Sequence, residues 1–189
     1  MATGGNNRLV MLAAGGTGGH LFPAQALAEE LVSRGFRIHL LTDERVRDYG
    51  KSFPAEATHI IPSATLSLSQ PLKVPGRAWS LYRGYHAARH VIKTEKAVAI
   101  AGFGGYPSLP PLMAATRLKV PSLVHEQNSV LGRANKLLAG RVSVVATSFA
   151  EVRGLPPAAR HVFTGNPVRG VVKAEAGAAY PALTDTGPL

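Results

Sequence analysis

Two side chains in this 189-residue chain stand where they could move a proton. His20 closes a glycine-rich turn, and Glu126 lies in the run His125-Glu126-Gln127-Asn128. Imidazole titrates near neutrality and a carboxylate can accept or relay a proton, so both types suit acid–base work. The groups around them can only hold oxygen atoms: the N–H groups of Gly15, Gly16, Gly18 and Gly19, those of Gly104 and Gly105, and the carboxamide of Asn128. Arg169 adds a guanidinium that matches phosphate geometry. No His and carboxylate share a metal-ligand spacing on a predicted helix, so no metal site is expected. Gly-x-Ser-x-Gly is absent, which removes the nucleophile-elbow hydrolases. The remaining chemistry is base-assisted transfer onto a hydroxyl, with backbone amides holding a phosphate.

Those residues need a frame. Arg8 to Ala13 is an apolar run the length of one buried strand. The turn from Ala14 to His20 follows, with Thr17 and His20 its only reactive side chains. Ala24, Leu27, Ala28 and Leu31 then recur at helical spacing, with Pro23 in the first turn and Gly35 as the stop. Strand, glycine turn and helix together make a ligand site, because free N–H groups at a helix start attract anionic oxygens. The bland alternative is a tight turn with His20 as a cap, a task that Ser, Thr, Asp and Asn do better. The dinucleotide fingerprint fails, since from Gly16 its third glycine position holds Leu21, and no Gly-Lys-Ser/Thr completes a Walker A loop.

Further strands are predicted over Arg37 to Thr42, Thr58 to Ile61, Ala97 to Ala101, Val120 to Val124, Val142 to Thr147 and His161 to Thr164. Helices are expected from Arg77 to Lys96, from Pro110 or Pro111 to Leu118, and from Ser129 to Ala139. Strands alternating with helices predict an α/β fold, a Rossmann-like doubly wound parallel sheet, with ligands beyond the carboxyl ends of its strands. Thr17 to His20, Gly104 to Ser108, His125 to Asn128 and Asn166 to Arg169 each follow a strand end, so one cleft would gather all four. Residues 1–7 read as a disordered start, 8–169 as the domain, and 170–189 as a linker or tail without periodicity.

The formal charge of +10, from 21 Lys and Arg against 11 Asp and Glu, calls for an anionic partner. Zero cysteines exclude disulfides and thiolate metal sites. No signal peptide is recognisable, and no apolar run reaches the roughly 20 residues of a spanning helix. The helix from Arg77 sets Ala78, Leu81, Tyr85, Ala88 and Ile92 on one side and Trp79, Arg83, His86, His90 and Lys93 on the other. A basic face headed by tryptophan suits a membrane interface, and it also suits a merely solvated surface. The loop from Ser63 to Pro75, with Leu66, Leu68, Leu72 and Val74, either shows its apolar side chains or folds them onto the core. A nucleic-acid-binding module fits the charge, but the Lys and Arg are dispersed and no known binding pattern is present. A dinucleotide oxidoreductase would use Asp43 for a ribose, and lacks its fingerprint.

Four motifs in order, Gly15-Gly16-Thr17-Gly18-Gly19-His20-x-Phe22-Pro23, Gly104-Gly105-Tyr106-x-Ser108, His125-Glu126-Gln127-Asn128 and Gly165-Asn166-Pro167-Val168-Arg169, resemble the N-terminal half of the MurG family. That family comprises the GT-B N-acetylglucosaminyltransferases of peptidoglycan biosynthesis. The resemblance spans about Arg8 to Arg169 and implies the acceptor domain of an inverting, metal-free and cofactor-free transferase. Such an enzyme moves N-acetylglucosamine from UDP-N-acetylglucosamine to lipid I, giving lipid II, as a peripheral enzyme on the cytoplasmic face of the inner membrane. It further implies His20 as general base with Glu126 orienting it, and Thr17, Gly18, Gly19, Asn128 and Arg169 as donor contacts. Gly15, Gly16, Gly104, Gly105 and Tyr106 would cradle the lipid diphosphate. Trp79, Leu81, Tyr82 and Tyr85, with Arg77 and Arg83, would touch the anionic membrane. A GT-B enzyme also needs a second, donor-binding α/β domain, and the resemblance implies that this sequence stops in the linker before it. The expectation is therefore a fragment with little activity alone, or one subunit of a split enzyme.

Overall fold

A computed structural model describes residues 7–46, 53–65 and 73–178. Seven strands form one parallel sheet in the order β3-β2-β1-β4-β5-β6-β7. They are β1 (Leu9–Ala13), β2 (Arg37–Thr42), β3 (Ala57–Ile60), β4 (Ala99–Gly102), β5 (Ser122–Glu126), β6 (Val144–Thr147) and β7 (His161–Phe163). The helices are α1 (Gly18–Ser33), α2 (Val74–Thr94), α3 (Leu109–Arg117), α4 (Arg133–Leu138) and α5 (Gly170–Ala174). The chain builds outward from β1 to β3, then returns to place β4 on the other flank of β1. This reversal opens a crevice beyond the carboxyl ends of β1 and β4, the place where doubly wound sheets bind ligands.

Alternation along β1 explains why the sheet is covered on both faces. Leu9, Met11 and Ala13 pack into a core with Ala88 and Ile92 of α2, Leu112 of α3 and Leu138 of α4. Val10 and Leu12 face the other way, onto Leu21, Ala24 and Ala28 of α1. Gly84 lets α2 approach the loop after β3: a Cβ there would lie 1.9 Å from the Pro62 carbonyl oxygen.

The predicted doubly wound sheet is the one observed, with strand ends shifted by a residue or two, and four local features differ. Helix α1 begins at Gly18 with Thr17 as its N-cap, a turn earlier than expected, so Pro23 lies inside it. The bond Pro23 cannot donate would go to the carbonyl of exposed Gly19, within reach of water. Helix α2 starts at Val74 because Pro75 occupies its first turn, where a missing N–H forfeits nothing. Helix α4 is shorter than expected and starts after Gly132, because Ser129 and Leu131 exchange backbone hydrogen bonds with Arg153. Residues 170–177, expected to be linker, form α5 and a 3-10 turn, with the Gly170 N–H donating to Glu29 Oε2 at 3.1 Å. The expectations for residues 1–6, 66–72 and 179–189 lie outside the described residues. Among the described residues no helix is long and apolar enough to cross a membrane.

Candidate active site

Two glycine turns meet over the crevice. The first follows β1, and its Gly16 adopts φ +87°. The second follows β4, where Gly104 and Gly105 take φ +89° and +72°. Positive φ favours glycine at these three positions. The turns press together at Gly15, where an added Cβ would lie 3.0 Å from Pro107 and 3.1 Å from the Thr42 hydroxyl. That hydroxyl is buried and has no hydrogen-bond partner among the described residues.

His20, in the first turn of α1, projects its ring between the two turns. A Cβ on Gly104 would lie 3.1 Å from His20 Cε1, and one on Gly105 would lie 3.3 Å from Cδ2. A side chain at 104 or 105 would therefore push the imidazole aside by a few tenths of an ångström, besides straining a backbone at positive φ. Its Nδ1 is 3.4 Å from Gln127 Oε1. Gln127 is held in turn, its Nε2 donating to the Phe103 carbonyl at 3.1 Å and to His125 Nδ1 at 3.1 Å. His125 is buried, and its Nε2 donates to the Gly165 carbonyl at 3.1 Å. Burial lowers the His125 pKa, opposed by the Gly165 carbonyl and the charge of Glu126.

The hydrogen bonds of Glu126 go elsewhere. Its side chain lies on the opposite face of β5 from His125 and Gln127, 1 % exposed. Oε1 accepts from the backbone N–H and the side-chain amide of Asn128, at 3.1 and 2.9 Å. Oε2 accepts from the Gly132 N–H at 2.8 Å and from Asn135 Nδ2 at 2.9 Å. Glu126 thus fixes Asn128, and Gln127 is the residue in contact with His20. The two-residue alternation along β5 carried that signal, since it puts positions 125 and 127 on one face and 126 on the other. Asn135 was also missed; a buried asparagine in a helix, where the type is a weak former, was its mark.

On the flank of the first turn Arg169 stacks over Phe22, its guanidinium carbon 4.0 Å from the ring centroid. Phe22 in turn abuts Gly18, where an added Cβ would sit 2.9 Å from the ring. On the other flank Arg45 lies along Gly16, 3.5 Å from where a Cβ would stand. Asp43 Oδ2 accepts from Arg45 Nε at 2.8 Å, which fixes that guanidinium beside the turn. Thr17 and Asn128 are exposed, and Tyr106 opens the 3-10 turn Tyr106–Ser108. Among the described residues no three His, Cys, Asp or Glu side chains converge as a metal site.

The expected membrane residues form a separate feature on α2. Trp79 and Tyr82 are 61 % and 54 % exposed and stack with centroids 5.4 Å apart. Beside them a cavity of about 550 Å³ runs between α2, α3 and α4, lined by Leu81, Tyr82, Tyr85, Pro110, Met113 and Leu137. Leu81 and Tyr85 form its floor and pack on the core, whereas Trp79 stands outside it.

A parallel sheet reversing at β1 and β4, with paired glycine turns around a histidine, defines a doubly wound α/β domain with a ligand site at its switch point. Residues 10–147 match the glycosyltransferase family 28 N-terminal domain, and the chain belongs to that family. Among named relatives it is similar to the UDP-N-acetylglucosamine–N-acetylmuramyl-(pentapeptide) pyrophosphoryl-undecaprenol N-acetylglucosamine transferase of Sinorhizobium fredii. The two are 52 % identical over 174 residues, 92 % of this chain and 47 % of the relative. The transferase of the same name from Rhizobium rhizogenes is 51 % identical over 164 residues, 87 % of this chain and 44 % of the relative. A crystal structure of MurG from Acinetobacter baumannii superposes with a TM-score of 0.69 at 32 % identity, covering 86 % of this chain and 46 % of that one. The chain thus spans about half the length of the curated relatives it matches. A UDP-N-acetylglucosamine 2-epimerase from Rickettsia bellii shares the fold alone, with a TM-score of 0.59 at 15 % identity over 82 % of this chain and 44 % of that one.

Proposed function

We propose that this chain is the acceptor half of the transferase that moves N-acetylglucosamine from UDP-N-acetylglucosamine to the muramyl C4 hydroxyl of lipid I, giving lipid II. The observation that carries this reading is His20 seated between two glycine turns at the reversal of the sheet. The N–H groups of Gly15, Gly16, Gly104 and Gly105 with Tyr106 hold the lipid diphosphate. Thr17, Gly18, Gly19, Asn128 and Arg169 face the donor. As the acceptor oxygen bonds to the anomeric carbon, His20 takes the hydroxyl proton. The bond from that carbon to UDP breaks with its electron pair leaving on the diphosphate, and the anomeric centre inverts.

A GT-B enzyme closes the donor between two domains, so catalysis needs a donor-binding domain, on the same polypeptide or on another chain. The α2 surface with Trp79, Tyr82, Arg77 and Arg83, and the adjoining apolar cavity, rests on the anionic cytoplasmic face of the inner membrane. The test is conversion of lipid I to lipid II by the purified chain, alone and with a donor-binding domain supplied. Turnover only with that domain, abolished by His20→Ala, is expected. Full turnover by the chain alone, or an active His20→Ala enzyme, overturns the reading.

A further inference from the structure

Hydrogen-bond bookkeeping around His20 fixes which of its nitrogens carries the proton. A carbonyl oxygen only accepts, so the Gly165 carbonyl at 3.1 Å places a hydrogen on His125 Nε2. Burial keeps that ring neutral, which leaves Nδ1 as a bare acceptor. The Gln127 side-chain amide faces three acceptors on one side: His125 Nδ1 at 3.1 Å, the Phe103 carbonyl at 3.1 Å and the His125 carbonyl at 3.3 Å. Only its NH2 end can lie there, since a flipped amide would set oxygen against three lone pairs. Oε1 is therefore the end turned towards His20, and an oxygen there accepts only from Nδ1–H.

We infer that Gln127, oriented by His125, the Gly165 carbonyl and the Phe103 carbonyl, is a positioning residue that holds His20 as the Nδ1–H tautomer and leaves Nε2 bare to take the acceptor proton. Among the described residues Nε2 has no protein hydrogen-bond partner, so its lone pair is available to a substrate. The relay passes through three of the four motifs, from Gly165 through His125 and Gln127 to His20 on the first glycine turn, and is steadied by Phe103, the residue just before the second. It makes two backbone carbonyls and one carboxamide responsible for the state of the base. The inference rests on the reading of His20 as base, but its readout does not depend on turnover.

The experiment is long-range proton–nitrogen NMR of the imidazole rings in the purified chain near neutral pH, which distinguishes the two tautomers by their nitrogen shifts. The wild-type chain is expected to show His20 as Nδ1–H and His125 as Nε2–H. In Gln127→Leu the His20 signals should move towards the tautomer mixture of a free side chain. In the complete two-domain enzyme Gln127→Leu should lower kcat roughly tenfold with KM for the donor unchanged, less than a trapped wrong tautomer costs a triad enzyme. A wild-type His20 protonated on Nε2, or Nδ1–H signals unmoved in a folded Gln127→Leu chain, overturns the inference, and the wild-type spectrum decides even if that variant does not fold. A relay seen as described beside an active His20→Ala enzyme would refute the base reading and leave the tautomer assignment standing.

Discussion

Replacing Glu126 by glutamine, a change of one heavy atom, should remove a large share of this domain's stability. The wild-type carboxylate is buried and each of its oxygens faces two donors: the main-chain and side-chain N–H groups of Asn128 on one, and Gly132 N–H and Asn135 Nδ2 on the other. A glutamine has one oxygen and one NH2. Whichever way it lies, the NH2 confronts two N–H donors, so two hydrogen bonds to a charged acceptor are lost. At about 1.5–3 kcal/mol for each such bond, Glu126→Gln should cost about 3–6 kcal/mol. Domains of this kind have a total stability of about 5–15 kcal/mol. Urea unfolding followed by circular dichroism measures the difference directly. A loss below about 1 kcal/mol would show that the carboxylate does not hold these four donors, and would reopen a direct role for Glu126 beside His20.

The remaining expectations are more local. Gly84→Ala would put a Cβ 1.9 Å from the Pro62 carbonyl oxygen; its gain in helix propensity is about 1 kcal/mol. The backbone clash outweighs that, and urea unfolding should show a net loss of about 2 kcal/mol. Arg45→Ala should weaken binding of a polyprenyl-diphosphate sugar about fivefold in titration calorimetry and leave UDP-N-acetylglucosamine untouched, since Arg45 flanks the first turn away from Arg169. The pKa of His59 is lowered, first by burial and then by His39, whose Nδ1 is 3.1 Å from His59 Nε2. Because His125 is lowered as well, the folded chain binds fewer protons than the unfolded one. Stability should therefore be fully present above about pH 6.5 and fall as the pH drops towards the lowered values, with His59→Gln flattening the decline in urea midpoints. Replacing both Trp79 and Tyr82 by serine should reduce sedimentation with anionic vesicles several-fold, with the circular dichroism spectrum unchanged.

The central strands were legible because they are buried on both faces and read as short, largely apolar runs, and Arg37 to Thr42 was placed to the residue. Helix starts were less legible, since Pro23 and Pro75 look like boundaries and lie inside or at the first turn of their helices. At the site, the residue types and the edge that gathers them followed from strand order. The partner of His20 did not: Glu126 has the better chemistry for orienting an imidazole, but the pleat turns it to the other face of β5 and presents Gln127 instead. Thr42 and Arg45, far from the crevice motifs in sequence, reach the first turn only because β2 pairs with β1.

Two of the groups that steer His20 are peptide oxygens, at Phe103 and Gly165. Exchanging the Phe103 side chain leaves its oxygen in place, whereas any side chain at Gly165, which adopts φ +73°, would strain the backbone that carries the other, so this part of the machinery answers to backbone geometry and not to side-chain chemistry. It is exposed instead to anything that tilts a peptide plane. An inserted residue in either loop, or a proline just after residue 103 or 165, would reach the imidazole without altering a single side chain that surrounds it.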